Sequence, residues 1–129
     1  EGFKASLHTL AHDWNKPDGA EALSRWDRFM AEQFSYFLDR MSASKEAEGS
    51  LLDNSVVLYG SSNSTTHNNR NYPLVLAGGK DLGMDHGQYL RFDEKIPMSN
   101  LLLTMLHCVG TEQESFSDST NDLTEILKS

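Results

Sequence analysis

The chain is short of cysteine, of positive charge and of long hydrophobic runs, and each shortage excludes something. A single cysteine, Cys108, cannot form an internal disulfide, which excludes a disulfide scaffold and a Cys-rich zinc site. Lys and Arg number 11 against 19 Asp and Glu, for a formal charge of -8. Phosphate contacts need a Lys/Arg excess, so the balance argues against nucleic acid as a partner. No stretch approaches the ~20 apolar residues that cross a bilayer, so no transmembrane segment is expected. The start, Glu1-Gly2-Phe3-Lys4, has neither an initiator Met nor the apolar core of a secretory signal, and reads as the start of a processed or excised piece. What is present is ordinary for one soluble globular segment: 129 residues, 38 % hydrophobic and 23 % charged.

No internal repeat or low-complexity tract breaks the chain. Glu1 to Lys16 reads as irregular and holds His8 and His12. From Ala20 to Met41 the pattern is helical, with Ala22, Trp26, Phe29, Met30, Gln33, Phe37 and Met41 at three- and four-residue steps, an apolar stripe expected to face a core. Ser42 to Ser50 reads as a loop. Two continuous apolar runs follow, Ser55 to Gly60 and Tyr72 to Ala77, the second closed by Gly78-Gly79 as a strand exit. Continuous rather than alternating apolar residues predict strands covered on both faces, as in a parallel sheet between helices. Between them Ser61 to Asn71 is wholly polar, either a flexible surface connection or a ligand loop at a strand end. Lys80 to Asp93, with Gln88-Tyr89-Leu90-Arg91-Phe92 alternating, predicts a short antiparallel ribbon. A second helix is expected over Met98 to Cys108, entered through Pro97, striped by Leu101, Leu102, Met105 and Val109, and capped by Gly110. Leu123 to Leu127 predicts a last helical turn.

Three histidines carry the candidate chemistry. His8 and His12 are four apart, which on one helical turn puts both imidazoles on one face, able to hold one metal; Asp13 beside them offers a carboxylate or an acceptor behind the ligands. His67, in the polar loop, would complete a three-histidine site. The competing reading is a solvated or hydrogen-bonded histidine pair. His86 reads as a turn residue, His107 as a helix-end residue set against the dipole, and Cys108 as a small buried hydrophobe. Adjacent residues diverge on a helix, so Cys108 and His107 do not make a nucleophile–base pair.

The run Leu51 to Ser61, followed by His67-Asn68-Asn69-Arg70-Asn71-Tyr72-Pro73-Leu74-Val75-Leu76-Ala77-Gly78-Gly79, resembles the C-terminal part of the bacterial family called domain of unknown function 1552. The helix from Trp26 to Met41, the segment Pro97 to Leu106 and the stretch Glu114 to Thr120 fit the same pattern, so the resemblance covers nearly the whole chain. It implies that residues 1–129 are a single segment, the last part of a longer domain. It also implies an extracytoplasmic location, periplasmic or secreted. That family is in turn similar to the alkaline phosphatase and sulfatase superfamily. The expected fold is therefore α/β, a partial parallel sheet flanked by helices, the C-terminal portion of a three-layer sandwich. The superfamily's Asp-x-x-x-His metal motif falls on His8 to His12, with His8 where the superfamily has Asp. A further ligand six residues before a strand proline falls on His67 and Pro73. Ser62-Asn63 stands where the second metal site would have Asp-His, a departure that leaves poor ligands for a transition metal. The superfamily nucleophile would lie outside this chain.

The resemblance thus implies a segment of a metal-dependent hydrolase of phosphate or sulfate esters, holding a divalent metal, zinc by ligand type, on His8, His12 and His67. A non-catalytic structural or interaction module that keeps the fold is the alternative, and a self-sufficient small domain is the third. Two strands covered on both faces have too few neighbours to stand alone, so the expected partner is the missing N-terminal part of the same protein, or another chain completing the sheet.

Overall fold

Ser6 opens the first helix by accepting the Thr9 amide on its hydroxyl at 3.2 Å, capping a short element, α1 (Leu7–His12). The computed structural model describes residues 3, 5–64 and 67–128. A helix therefore forms where the opening is expected to be irregular. A turn through Asp18 (φ 60°) leads into α2 (Gly19–Ala43). Gly19 is required there: a Cβ at this position would lie 1.8 Å from the Asp13 carbonyl oxygen. At 25 residues α2 is about 37 Å long. Its sheltered stripe runs Trp26, Met30, Phe34, Leu38 and Met41. Phe29 and Phe37, expected in the core, are 42 % and 48 % exposed. Phe3 packs edge-on against Trp26 and Phe29, with centroids 4.8 and 5.6 Å away.

The two apolar runs form β1 (Val56–Gly60) and β2 (Leu74–Gly78), paired antiparallel with Val56 opposite Gly78, Leu58 opposite Leu76 and Gly60 opposite Leu74. This overturns the expected parallel sheet. Among the described residues the sheet has two strands and no three-layer sandwich is formed. The physical reason lies in the connection. Parallel neighbours need a crossover, usually a helix, and the described part of the polar segment between β1 and β2 contains none. The continuous apolar pattern reports contact on both faces, not strand direction. On one face Val56, Leu58, Leu74 and Leu76 pack against the core; on the other Phe34 of α2 stacks on Tyr59, centroids 4.5 Å apart and rings 13° from parallel.

The strand exit at Gly78 and Gly79 is left-handed (φ 76° and 70°). A 3-10 turn, Lys80–Leu82, follows. The chain then runs from Asp85 to Ile96 without a strand, so the expected ribbon does not form. Its alternating side chains find no partner strand: Tyr89 is 90 % exposed.

Helix α3 (Met98–Cys108) has the expected bounds. It ends as expected at Gly110 (φ 82°), where the Thr111 amide donates to the Leu106 carbonyl at 3.0 Å and the Gly110 amide to the His107 carbonyl at 2.9 Å. These two bonds satisfy carbonyls that the helix end would leave open. Around α3 sits the core: Met84, Leu101, Leu123 and Ile126, with Met105, Cys108 and Leu127 partly buried against it. Cys108 is half-buried, its thiol donating to the Met84 sulfur at 3.4 Å, and burial pushes that thiol's pKa up. The expected last turn is a 3-10 turn, Thr124–Ile126.

The buried face of α3 is partly polar. Asn100 accepts the Thr120 amide at 2.8 Å and donates to the Thr120 hydroxyl at 3.2 Å. Thr104 accepts the Leu123 amide at 2.8 Å and donates to the Asn100 carbonyl at 2.9 Å. Ser99 donates to Asp118 at 2.6 Å. Asn100 and Thr104 thus supply the partners that a neighbouring strand would otherwise give the Thr120 and Leu123 amides. Among the described residues, no helix is long and apolar enough to cross a membrane.

Candidate metal centre

α1 sets the first two candidate ligands. One helical turn separates His8 from His12, and their ring centroids lie 4.6 Å apart. His67 arrives from the loop after β1. That loop is folded by its own polar groups: the Ser61 hydroxyl donates to the Asn63 carbonyl at 2.9 Å and accepts the Asn63 amide at 3.1 Å, and the Ser64 amide donates to the Asn68 carbonyl at 2.8 Å. His67 itself takes a left-handed conformation (φ 62°).

The fold thus brings together all three histidines named from the sequence. His67 lies 5.1 Å from His12 and 6.1 Å from His8, centroid to centroid. The His12 and His67 Nε2 atoms are 3.2 Å apart. Two lone pairs aimed at one another repel, so a proton must lie between them, one ring donating and the other accepting, or a cation must take its place. Two nitrogens bound to one tetrahedral zinc at about 2.0–2.1 Å stand about 3.3 Å apart, and the centroids of such rings about 5 Å apart. The pair His12–His67 is spaced as two such ligands would be. His8 is the third corner of the triangle, its ring tilted 54° and 43° from those of His12 and His67. Among the described residues, no group of three or more His, Cys, Asp or Glu side chains is placed so that it could hold a metal ion. All three histidines are solvent-exposed.

The other expected participants stand elsewhere. The Asp13 carboxylate pairs with Lys16 at 2.7 Å, rather than backing a histidine. Ser62 and Asn63 are exposed, and the Asn63 side-chain amide donates to the Ser62 hydroxyl at 3.4 Å. His86 bonds the Gly78 carbonyl through its Nε2 and so fastens the turn after β2 to the strand end. His107 makes two contacts: its Nε2 lies 2.6 Å from the Gln113 carbonyl and its Nδ1 lies 3.2 Å from Asp122. Both partners are acceptors, so only the doubly protonated imidazolium can donate to both. The Gln113 carbonyl, with help from Asp122 and against partial desolvation, raises the His107 pKa above its ordinary value. The helix-end position is visible in the sequence, but the two acceptors come from a turn whose path the sequence does not show.

Comparison with protein-family models, with curated proteins and with solved structures found no match.

Proposed function

We propose that the chain binds one divalent metal, zinc by ligand type, through His8, His12 and His67, with water filling the remaining coordination position. The observation that carries this reading is the 3.2 Å approach of two Nε2 atoms 55 residues apart in sequence, with a third imidazole beside them. An open position on a three-histidine zinc is the arrangement in which bound water becomes a nucleophile near neutral pH, or an ester oxygen is polarised. Together with the sequence resemblance, this supports a role in hydrolysis of phosphate or sulfate esters in an extracytoplasmic compartment, with the covalent nucleophile supplied from outside the chain. One observation favours a second reading, a non-catalytic module whose metal only fastens α1 to the loop: Ser62 and Asn63, poor ligands for a transition metal, stand where a second metal site would need Asp and His.

Titration with Co²⁺, read by its visible absorption, and with Zn²⁺ by calorimetry tests the site. The expected result is one equivalent of metal, with affinity reduced about 10- to 100-fold or more in His12→Ala and His67→Ala. Less than one equivalent, or no loss on His67→Ala, overturns the metal reading. Turnover of p-nitrophenyl phosphate or sulfate by the metal-loaded full-length protein, which includes the nucleophile-bearing part outside this chain, abolished in His12→Ala, separates the hydrolase from the structural module.

A further inference from the structure

The sheltered stripe of α2 is bordered by a second row of side chains. Ala22, Trp26, Phe29, Gln33, Tyr36 and Arg40 recur at alternating steps of four and three residues. That alternation is the spacing of a coiled-coil seam, in which one helix lays its stripe along another. The row is largely open: Tyr36 is 63 % exposed, and Phe29, with Phe37 bordering the row, is nearly half exposed. Phe3 leans on Trp26 and Phe29 and is 39 % exposed itself, so its ring adds to the same face. On rings of about 150–250 Å² each, the open parts of Phe3, Phe29, Tyr36 and Phe37 come to about 400 Å². That is half of the about 800 Å² that each partner gives to a standard interface, and the stems of Arg25, Gln33 and Arg40 extend the patch.

Charge selects a second copy as the occupant and fixes its direction. A parallel pair would set Arg40 against its own copy in the seam, where like charges repel. An antiparallel pair about a twofold axis between Phe29 and Gln33 avoids this. Trp26 then meets the partner's Tyr36, Phe29 meets the partner's Gln33, and Arg40 meets the small Ala22 of the partner subunit, beside its Glu21. The same axis brings one flank of each helix together, the flank carrying Arg25, Glu32 and Asp39. Arg25 comes level with the partner's Asp39 to within about 3 Å along the axis, and the symmetry makes the pair twice. Neither residue has a salt bridge to another described residue within the chain. Glu32 meets its own copy near the axis, where Arg28 already neutralises it at 2.9 Å.

We propose that the chain forms a twofold dimer in which α2 pairs antiparallel with α2 of a second copy, with Trp26, Phe29, Gln33 and Tyr36 in the seam and Arg25 bonded to Asp39 across it. This inference does not depend on the metal reading.

The test is the oligomeric state of the 129-residue chain, measured by analytical ultracentrifugation over a range of concentrations. A reversible dimer is expected. Tyr36→Glu places a charge in the seam at an exposed position and should raise the dimer dissociation constant at least about tenfold, with the circular dichroism spectrum unchanged. Arg25→Asp and Asp39→Arg each turn two attractive pairs into repulsive ones and should each weaken the dimer about tenfold. The double variant Arg25→Asp with Asp39→Arg exchanges the charges and should restore the parent affinity. A chain still monomeric at about 100 µM overturns the proposal, as does a dimer indifferent to Tyr36→Glu, which would pair through another surface. A double variant no tighter than the single ones overturns the antiparallel register.

Discussion

Thr104→Val tests how the C-terminal segment is held. Thr104 is fully buried, and its hydroxyl is the acceptor for the Leu123 amide at 2.8 Å. Valine keeps the branched shape and the volume, so the change removes one oxygen with almost no loss of packing. The Leu123 amide is then left buried without a partner, which costs about 1–3 kcal/mol. The lost bond from the hydroxyl to the Asn100 carbonyl matters less, because that carbonyl belongs to α3 and has the helix ladder available. At roughly 3–5 °C per kcal/mol for a chain of this size, the midpoint of thermal unfolding should fall by about 3–15 °C. Thr104→Ser is the control: it keeps the acceptor and loses a buried methyl, at about 1 kcal/mol. Urea unfolding gives both free energies, and amide exchange at Leu123 should accelerate in the valine variant alone. A valine variant within about 0.3 kcal/mol of the parent, well under the cost of an unpaired buried amide, or a serine variant that is the less stable of the two, would refute the reasoning.

Other expectations follow from single contacts. The folded-state pKa of His107 is raised, so its contribution to stability is complete below about pH 6.5 and is lost as pH rises through the folded value. In His107→Gln, urea midpoints should lose this dependence above about pH 6.5. Asp53 behaves oppositely: bonds from the Ser50 hydroxyl and amide lower its pKa, with Lys80 and Lys45 assisting and desolvation opposing. Its contribution is present above the ordinary carboxylate range and is lost as pH falls through the folded value, so Ser50→Ala should raise the Asp53 pKa measured by NMR titration. Gly78→Ala should cost more than Gly83→Ala. Both residues are left-handed, a conformation costing an L side chain about 1–2 kcal/mol, but a Cβ at Gly78 would also meet the Ser55 carbonyl oxygen at 2.2 Å, whereas Gly83 faces open space. Equal urea midpoints for the two variants would contradict this.

The elements that can be read from the sequence are those decided locally. The bounds of α3 follow from Pro97 before it and Gly110 after it, and both strands fall on the apolar runs. What cannot be read depends on partners distant in sequence. An apolar stripe shows that a helix has a sheltered side, but neighbouring aromatics compete for it: Phe34 stacks on Tyr59, while Phe37 stays about half exposed. The alternation from Gln88 to Phe92 is a strand pattern, yet a strand needs an edge to pair with, and none reaches it among the described residues. Asn100 and Thr104 give no signal, because a polar residue in a helix looks the same whether it faces water or a buried backbone amide.

The histidines show the other side of this division. Their spacing in α1 is local and legible, whereas the approach of His67 depends on a loop folded by short-range polar bonds of Ser61 and Ser64. Those bonds explain why a wholly polar connection need not be a flexible one. Each satisfies a backbone group within the loop, and together they leave the His67 ring facing His12. Breaking the first of them, with Ser61→Ala, removes the acceptor of the Asn63 amide without touching any histidine. If the loop's own bonds position His67, this variant should bind Zn²⁺ several-fold more weakly while α1 and the core remain intact by circular dichroism. An unchanged affinity would mean that the metal, rather than the loop, gathers the ligands.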